Sequence, residues 1–237
     1  MPRSGSAAQV FYRRHSNAEI VQVMEQRLRL GDVVLDVGAH IGEYTLVAAS
    51  LVGAEGRVYA IEPQPEAAEA IALNAALNGF RNIHVREVAL ADRAGTMLFR
   101  WDAHTWGGFL TNDGTVACLR VRCTTLDTFV EGEGIARIRL IKLDSAGNEK
   151  AVLLGGQKLL TSQQSPVLVC KLYHPQVVRE RFGYEAREVL ELLDSWGYEL
   201  RALTVEGQKL ISPRNCDGFF SRKTYGLAVL AWRQDRG

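Results

Sequence analysis

Apolar and polar positions along this chain alternate between two periods. Ile20, Val23, Met24 and Leu28 recur at helical spacing behind Ser16-Asn17-Ala18-Glu19, a capping box with Ser16 as N-cap. Gly31 stops that helix. The pattern then predicts a strand at 33–37, a helix at about 43–52 and a strand at 57–61 ending at Glu62. Pro65 opens a helix running to about Asn78, because proline's missing N–H costs little in a first helical turn. A strand at about 82–87 completes three strand–helix repeats.

The middle of the chain, 91–137, changes character. Asp92-Arg93-Ala94-Gly95 is a turn signal, followed by short β-rich pieces at 96–100 and 119–123. Between them lies Trp101-Asp102-Ala103-His104-Thr105-Trp106-Gly107-Gly108, read as an aromatic loop of a hairpin-like insertion. Periodic order resumes with a strand at Ile138–Leu143 ending at Asp144, a helix at about 148–161 and a strand at Val167–Leu172. A helix at about 184–195, a strand at Tyr198–Leu203, a polar loop at 204–224 and a last strand at Gly226–Trp232 complete the chain. Strands alternating with helices predict an α/β fold, with a mostly parallel sheet covered on both faces. The expected organisation is an N-terminal cover helix within 1–31, then a single Rossmann-like domain over 32–237 carrying the insertion at about 91–137.

Composition narrows the class. A net charge of +1 gives no global field to attract nucleic acid or an anionic membrane. No apolar stretch of signal-peptide length follows Met1, and no run approaches the roughly 18 apolar residues that span a bilayer. Cys118, Cys123, Cys170 and Cys216 lack C-x-x-C spacing, and Cys170 sits in an apolar strand as a small buried hydrophobe. A reducing cytoplasm and no metal cluster are expected. His15 and His84 read as surface positions.

The most informative stretch is Asp36-Val37-Gly38-Ala39-His40-Ile41-Gly42-Glu43-Tyr44-Thr45. An apolar strand ends in an acid, a glycine turn and a helix start, the place where an α/β sheet holds a nucleotide-like ligand. Glycine lets backbone N–H groups approach a ligand closely. The stretch is not a full G-x-G-x-x-G and lacks the G-K-[ST] of a phosphate loop, so it points to a nucleoside cofactor without an obvious pyrophosphate. Twenty-six residues after Asp36, Glu62 ends the second strand, where an acid can accept hydrogen bonds from a ribose diol. Asp36 would face an α-ammonium group, and the amides around Gly38 a carboxylate. An adenosine carrying an amino acid, S-adenosylmethionine, satisfies both ends.

Four segments in order, Asp-Val-Gly-Ala-His-Ile-Gly-Glu-Tyr-Thr (36–45), Tyr-Ala-Ile-Glu-Pro (59–63), Thr-Leu-Asp-Thr-Phe (125–129) and Ile-Lys-Leu-Asp (141–144), resemble the FkbM-type methyltransferase family. The resemblance implies a seven-stranded Rossmann-like sheet with an antiparallel last strand, and the cofactor over the ends of strands one and two. It also implies methyl transfer from S-adenosylmethionine, commonly to a hydroxyl of a sugar, polyketide or other natural product. Carried onto this sequence, the cofactor set is Asp36, Gly38, Ala39, His40, Gly42, Tyr44, Thr45, Glu62, Pro63, Val88, Ala89 and Asp144. His40 stands where the family usually has Asn, and Val88 and Ala89 should lie beside the adenine.

Two departures concern the acceptor side. The run Asp144-Ser145-Ala146-Gly147-Asn148-Glu149 lacks the family's acid two places after the aspartate. The fifth strand carries Cys170-Lys171-Leu172-Tyr173-His174 where a late Glu is usual. An alcohol must lose its proton during attack, so a base in reach contributes roughly 10²–10⁴. The candidates are Asp144, at the switch point beside the first strand; His174, titrating near neutrality; Lys171, read more as an anchoring cation; and His104, in a lid over the acceptor. Asp144 alternatively caps the next helix. Asp144 with Asn148 has no clear third partner for Mg²⁺, so no metal is assigned. The expected partner is a small-molecule acceptor, with no nucleic acid or membrane, and a homodimer as the candidate assembly. The competing readings are an S-adenosylmethionine-binding protein with altered or no catalysis, including N-methylation, and an NAD-dependent oxidoreductase lacking its third glycine.

Overall fold

The computed structural model describes residues 18–102, 107–111, 114, 118–220 and 226–233. Helix α1 (Ala18–Arg27) leads into β1 (Val33–Val37), α2 (Glu43–Val52), β2 (Arg57–Ile61), α3 (Pro65–Leu77) and β3 (Ile83–Arg86). Ser16, the expected N-cap of α1, lies outside the described residues. Short β4 (Ala89–Leu90), β5 (Gly95–Asp102), β6 (Gly107–Thr111) and β7 (Leu119–Thr124) form a separate four-stranded sheet, in the order β4-β7-β5-β6. Then come α4 (Leu126–Gly132), β8 (Leu140–Leu143), α5 (Glu149–Leu154), α6 (Gln157–Thr161) and β9 (Val167–Tyr173). The chain continues with α7 (Pro175–Phe182), α8 (Ala186–Ser195), β10 (Glu199–Thr204), β11 (Gly207–Leu210), a 3₁₀ turn (Cys216–Phe219) and β12 (Gly226–Trp232).

The main sheet has the order β11-β10-β12-β9-β8-β1-β2-β3. Strands β3, β2, β1, β8 and β9 run parallel, and β12 pairs antiparallel with both β9 and β10. This is a Rossmann-like sheet with an antiparallel last strand. It has eight strands where the family resemblance implied seven. The extra strand, β11, lies in the segment expected to be a polar loop. All four of its residues are exposed, so no apolar alternation marked it.

Side chains of successive strand residues face opposite layers. Val34, Val58 and Leu140 pack against α1 and α2, through Ile20, Met24, Ala48 and Val52. Leu35, Ile61, Ile141 and Leu143 join Leu126, Phe129, Val152, Leu190 and Leu193 on the other face. Both faces are thus covered, which is why β1, β2 and β8 read as nearly continuous apolar runs.

Three helices differ from expectation. The segment Thr-Leu-Asp-Thr-Phe, assigned to a β-rich insertion, folds into α4, with Thr125 Oγ1 accepting from the Thr128 N–H at 3.1 Å. The helix expected over 148–161 is two short ones, broken at Gly155-Gly156. A Cβ on Gly155 would come within 2.1 Å of the Ala91 carbonyl oxygen. Helix α7 was not anticipated at all. It starts at Pro175 and has a mixed polar surface with Val178 as its buried residue.

Candidate active site

Chain order β1, β2, β3 builds the sheet in one direction from β1, and β8 sits on its other side. A crevice therefore opens beyond the carboxyl ends of β1 and β8, the switch point of a doubly wound sheet. A cavity of about 350 Å³ fills it. Its walls include Gly38, Ala39, His40, Tyr44, Glu62, Pro63, Val88, Ala89, Asp144 and Lys171, ten residues assigned to the site from sequence.

The floor is the turn after β1. Gly38 has φ 71° and Gly42 has φ 91°, both in the left-handed region where a Cβ is costly. A Cβ on Gly38 would lie 1.9 Å from the Asp144 carbonyl oxygen, so the β1 and β8 turns meet at a distance only glycine permits. His40, also left-handed at φ 52°, directs its N–H to Glu62 Oε2 at 2.9 Å. The Gln64 N–H donates to Oε1 of the same carboxylate at 3.0 Å. Burial pushes the Glu62 carboxyl above its ordinary range, against these two amides, which favour the ionised form. Each oxygen has a further lone pair, so a cavity-lining carboxylate held this way can receive the two hydroxyls of a ribose.

The sequence reading of Asp36 needs correction. It was expected to meet an α-ammonium group, but its side chain is fully buried and lies outside the cavity walls. Thr45 Oγ1 donates to Asp36 Oδ2 at 2.6 Å, and Lys142 Nζ stands 3.0 Å from Oδ1. The cause is register, since β1 and β8 pair Asp36 with Lys142. Lys142 also donates to the Gly38 carbonyl at 2.8 Å. Burial would lower the Lys142 pKa, but Asp36 and then Asp144 hold it above the ordinary value. Thr45 and Gly42 likewise shape the turn without lining the cavity; Gly42 packs on Ile71.

At the end of β8, Asp144 stands between two neighbours on β9. Lys171 Nζ lies 3.1 Å from Oδ2, and the Tyr173 hydroxyl donates to Oδ1 at 3.1 Å. Burial would raise the Asp144 pKa, yet Lys171 and Lys142 together hold it below the usual carboxylate range. The Tyr173 phenol is pushed well up by burial and by the Asp144 charge, so it remains a proton donor. Sequence reasoning missed Tyr173, although it sits two positions after Lys171 and so on the same face of a strand.

Glu149 was also missed. Its Oε1 accepts from the Ser145 N–H at 2.8 Å and the Gly147 N–H at 3.1 Å, tying down the turn next to Asp144. Ala146 in that turn is left-handed at φ 56°. Oε2 is buried without a hydrogen-bond partner. Burial, and secondarily Asp144, push the carboxyl up to about 7.

His174 does not line the cavity. Its Nδ1 accepts from the Gln176 N–H at 3.3 Å as the N-cap of α7, and its ring meets Phe220 edge-on at 6.2 Å. The expectation of a base there is corrected by the helix that sequence reasoning missed. His104 lies outside the described residues. Two further walls come from unanticipated elements, Phe109 on β6 and Arg181 on α7, the guanidinium 4.3 Å over the ring. Asn148 donates its amide to the Leu90 carbonyl at 2.9 Å, and no group of three metal-ligating side chains occurs among the described residues.

The chain and its fold have known counterparts. Residues 36–200 match the family described as Methyltransferase FkbM domain. A stretch of 79 residues is 42% identical to the protein-L-isoaspartate O-methyltransferase of Ignicoccus hospitalis, covering 33% of this chain and 36% of that protein. The chain spans about a third of the length of the curated relatives it matches. Among solved structures, methyltransferase FkbM from Methylobacillus flagellatus superposes with TM-score 0.53 at 13% identity, over 91% of this chain and 59% of that one. Precorrin-6y C5,15-methyltransferase from Geobacter metallireducens superposes with TM-score 0.50 at 17% identity, over 91% and 87%. These structural likenesses concern the fold. The glycine cradle that a Cβ would fill and the amide-held Glu62 fit an adenosyl cofactor. With the match covering most of its length, the chain belongs to the FkbM family of S-adenosylmethionine-dependent methyltransferases.

Proposed function

We propose that the cavity holds S-adenosylmethionine with its ribose on Glu62, its adenine beside Val88 and Ala89, and its amino-acid end at the turn around Gly38 and Tyr44. The reaction we infer is methylation of a hydroxyl on a small natural product or sugar, inside the cytoplasm. The single observation carrying this reading is the Asp144 carboxylate, oriented between Lys171 and Tyr173 in the wall of the cavity that Gly38 and Glu62 also line. The O-methyl transfer named for the Ignicoccus relative lends the oxygen acceptor further support.

When bound, the cofactor supplies a methyl group on a sulfonium that is already activated. The protein's task is then to position the acceptor oxygen and relieve it of a proton. Asp144 accepts the hydrogen bond of the incoming hydroxyl. Because Lys171 and Lys142 keep it ionised, it is ready at neutral pH but is a weak base, so proton transfer accompanies attack and does not precede it. Tyr173 and Lys171 fix which lone pair faces the acceptor.

The test is Asp144→Asn, assayed as S-adenosylhomocysteine formed with a panel of sugar and polyketide alcohols. The expected result is a fall in kcat of about 10²-fold or more, with cofactor affinity within about threefold of wild type. Unchanged turnover removes Asp144 from the reaction. Cofactor binding by the wild type without turnover on any alcohol or amine favours a binding protein instead.

A further inference from the structure

A second cavity, about 500 Å³, opens at the opposite end of the same strands. Val33 begins β1, Arg57 begins β2 and Arg139 precedes β8, so each strand that ends at the methyl-transfer site starts at this cavity. Four arginines line it, Arg29, Arg57, Arg137 and Arg139, against one acid, Asp32. In a chain with net charge +1 this is a concentrated positive region.

Two of the guanidiniums are held in place. Arg29 Nη1 donates to the carbonyls of Gln26 at 3.0 Å and Leu28 at 2.7 Å. Arg139 Nε donates to the Arg27 carbonyl at 3.0 Å. Asp32 neutralises little of this charge. Its Oδ2 accepts from the Arg29 backbone N–H at 2.7 Å and lies 4.0 Å from Arg139 Nε. Arg57 and Arg137 are exposed, and among the described residues their guanidiniums form no hydrogen bond or ion pair. His84, half-buried next to this region and stacked on Tyr59 at 5.0 Å, has its pKa lowered first by burial and then by Arg86 and Arg57.

We propose that this cavity is a binding site for a small ligand carrying a diphosphate group. A guanidinium presents a planar fork of donors that matches phosphate oxygens two at a time. Two anchored arginines and two unengaged ones supply more donors than a single carboxylate can accept, and a diphosphate has the oxygens to use them. The concave shape favours a small molecule, since a nucleic-acid backbone follows an extended basic track.

The test is calorimetric titration of the full chain at about 0.15 M salt with inorganic pyrophosphate, UDP and uridine. Pyrophosphate and UDP are expected to bind saturably at one site, and uridine not to bind. Arg57→Glu and Arg137→Glu should each weaken that binding about tenfold or more, whereas Arg120→Glu, an exposed position on β7, should leave it within about twofold. UDP binding at least tenfold tighter than pyrophosphate identifies a nucleotide; equal affinities identify the diphosphate alone. Both variants alter exposed side chains, and an unchanged S-adenosylhomocysteine titration or melting curve verifies their fold. The proposal is overturned by absence of saturable binding, by equal loss in Arg120→Glu, or by an RNA oligomer that binds and is not displaced by pyrophosphate.

Discussion

Buried charges set the character of this site. Lys142 and Asp36 are 3% and 0% exposed, a pair closed off from water in the floor beneath the glycine turn. Removing one partner leaves the other ionised and uncompensated, so Lys142→Met should destabilise the fold by about 3–5 kcal/mol in chemical denaturation. Less than about 1 kcal/mol would mean that Asp36 finds another partner. Glu149 titrates in the opposite sense to a salt-bridged acid. Its pKa rises from 4.5 in the unfolded chain to about 7 in the folded one, so the folded state keeps a proton the unfolded chain has released. Stability therefore falls as the pH rises through that window. Wild type should lose about 3 kcal/mol relative to Glu149→Gln between pH 4.5 and 8. Parallel pH–stability curves for the two proteins would contradict this. The places of Gly38, Glu62 and Asp144 in the cavity wall were legible in the sequence because strand ends and glycine spacing set them without knowledge of neighbours. Asp36 was misread because its partner is decided by the β1–β8 register, and the pairings of Lys142 with Asp36 and of Tyr173 with Asp144 went unnoticed because a strand's side-chain face acquires meaning only from the strand beside it.

The elements that the pattern revealed most clearly are those buried on both faces, β1, β2, β8, β9 and β12, whose apolar runs leave little alternative. Those it missed have weak or divided signals. Exposed β11 shows no alternation, α7 has one buried side chain, and α4 hides behind a β-rich insertion. His174 shows how one missed element alters chemistry. Once α7 begins at Pro175, the imidazole becomes its N-cap. The break between α5 and α6 has a steric cause that can be tested. Gly155 has an ordinary helical φ of −70°, so alanine is barred there by space, with the Ala91 carbonyl 2.1 Å from its Cβ. Gly155→Ala should cost about 1–3 kcal/mol, measured as a lower denaturation midpoint, although alanine is the better helix former. Stabilisation would show that the β4 edge yields freely.

For the molecule as a whole, the parallel strands act as struts between two openings, a cavity lined by Gly38, Glu62 and Asp144 at their carboxyl ends and an arginine-lined one at their amino ends. Five parallel strands with their helices fix the first, and the small sheet together with α7 closes it from above through Phe109 and Arg181. That upper half comes from segments without regular apolar spacing, which is why the glycine turn and Glu62 were legible in the sequence and the walls from Phe109 and Arg181 were not. Among the described residues, no helix is long and apolar enough to cross a membrane. The proposed function stands or falls on Glu62 and the Gly38 turn holding the adenosyl cofactor. Calorimetric titration of S-adenosylmethionine into wild type and Glu62→Gln tests it most directly. One site per chain is expected in the wild type, and an affinity at least about tenfold weaker in the variant, since hydrogen bonds to a carboxylate are lost. No binding to the wild type, or equal affinity in the two proteins, would contradict it.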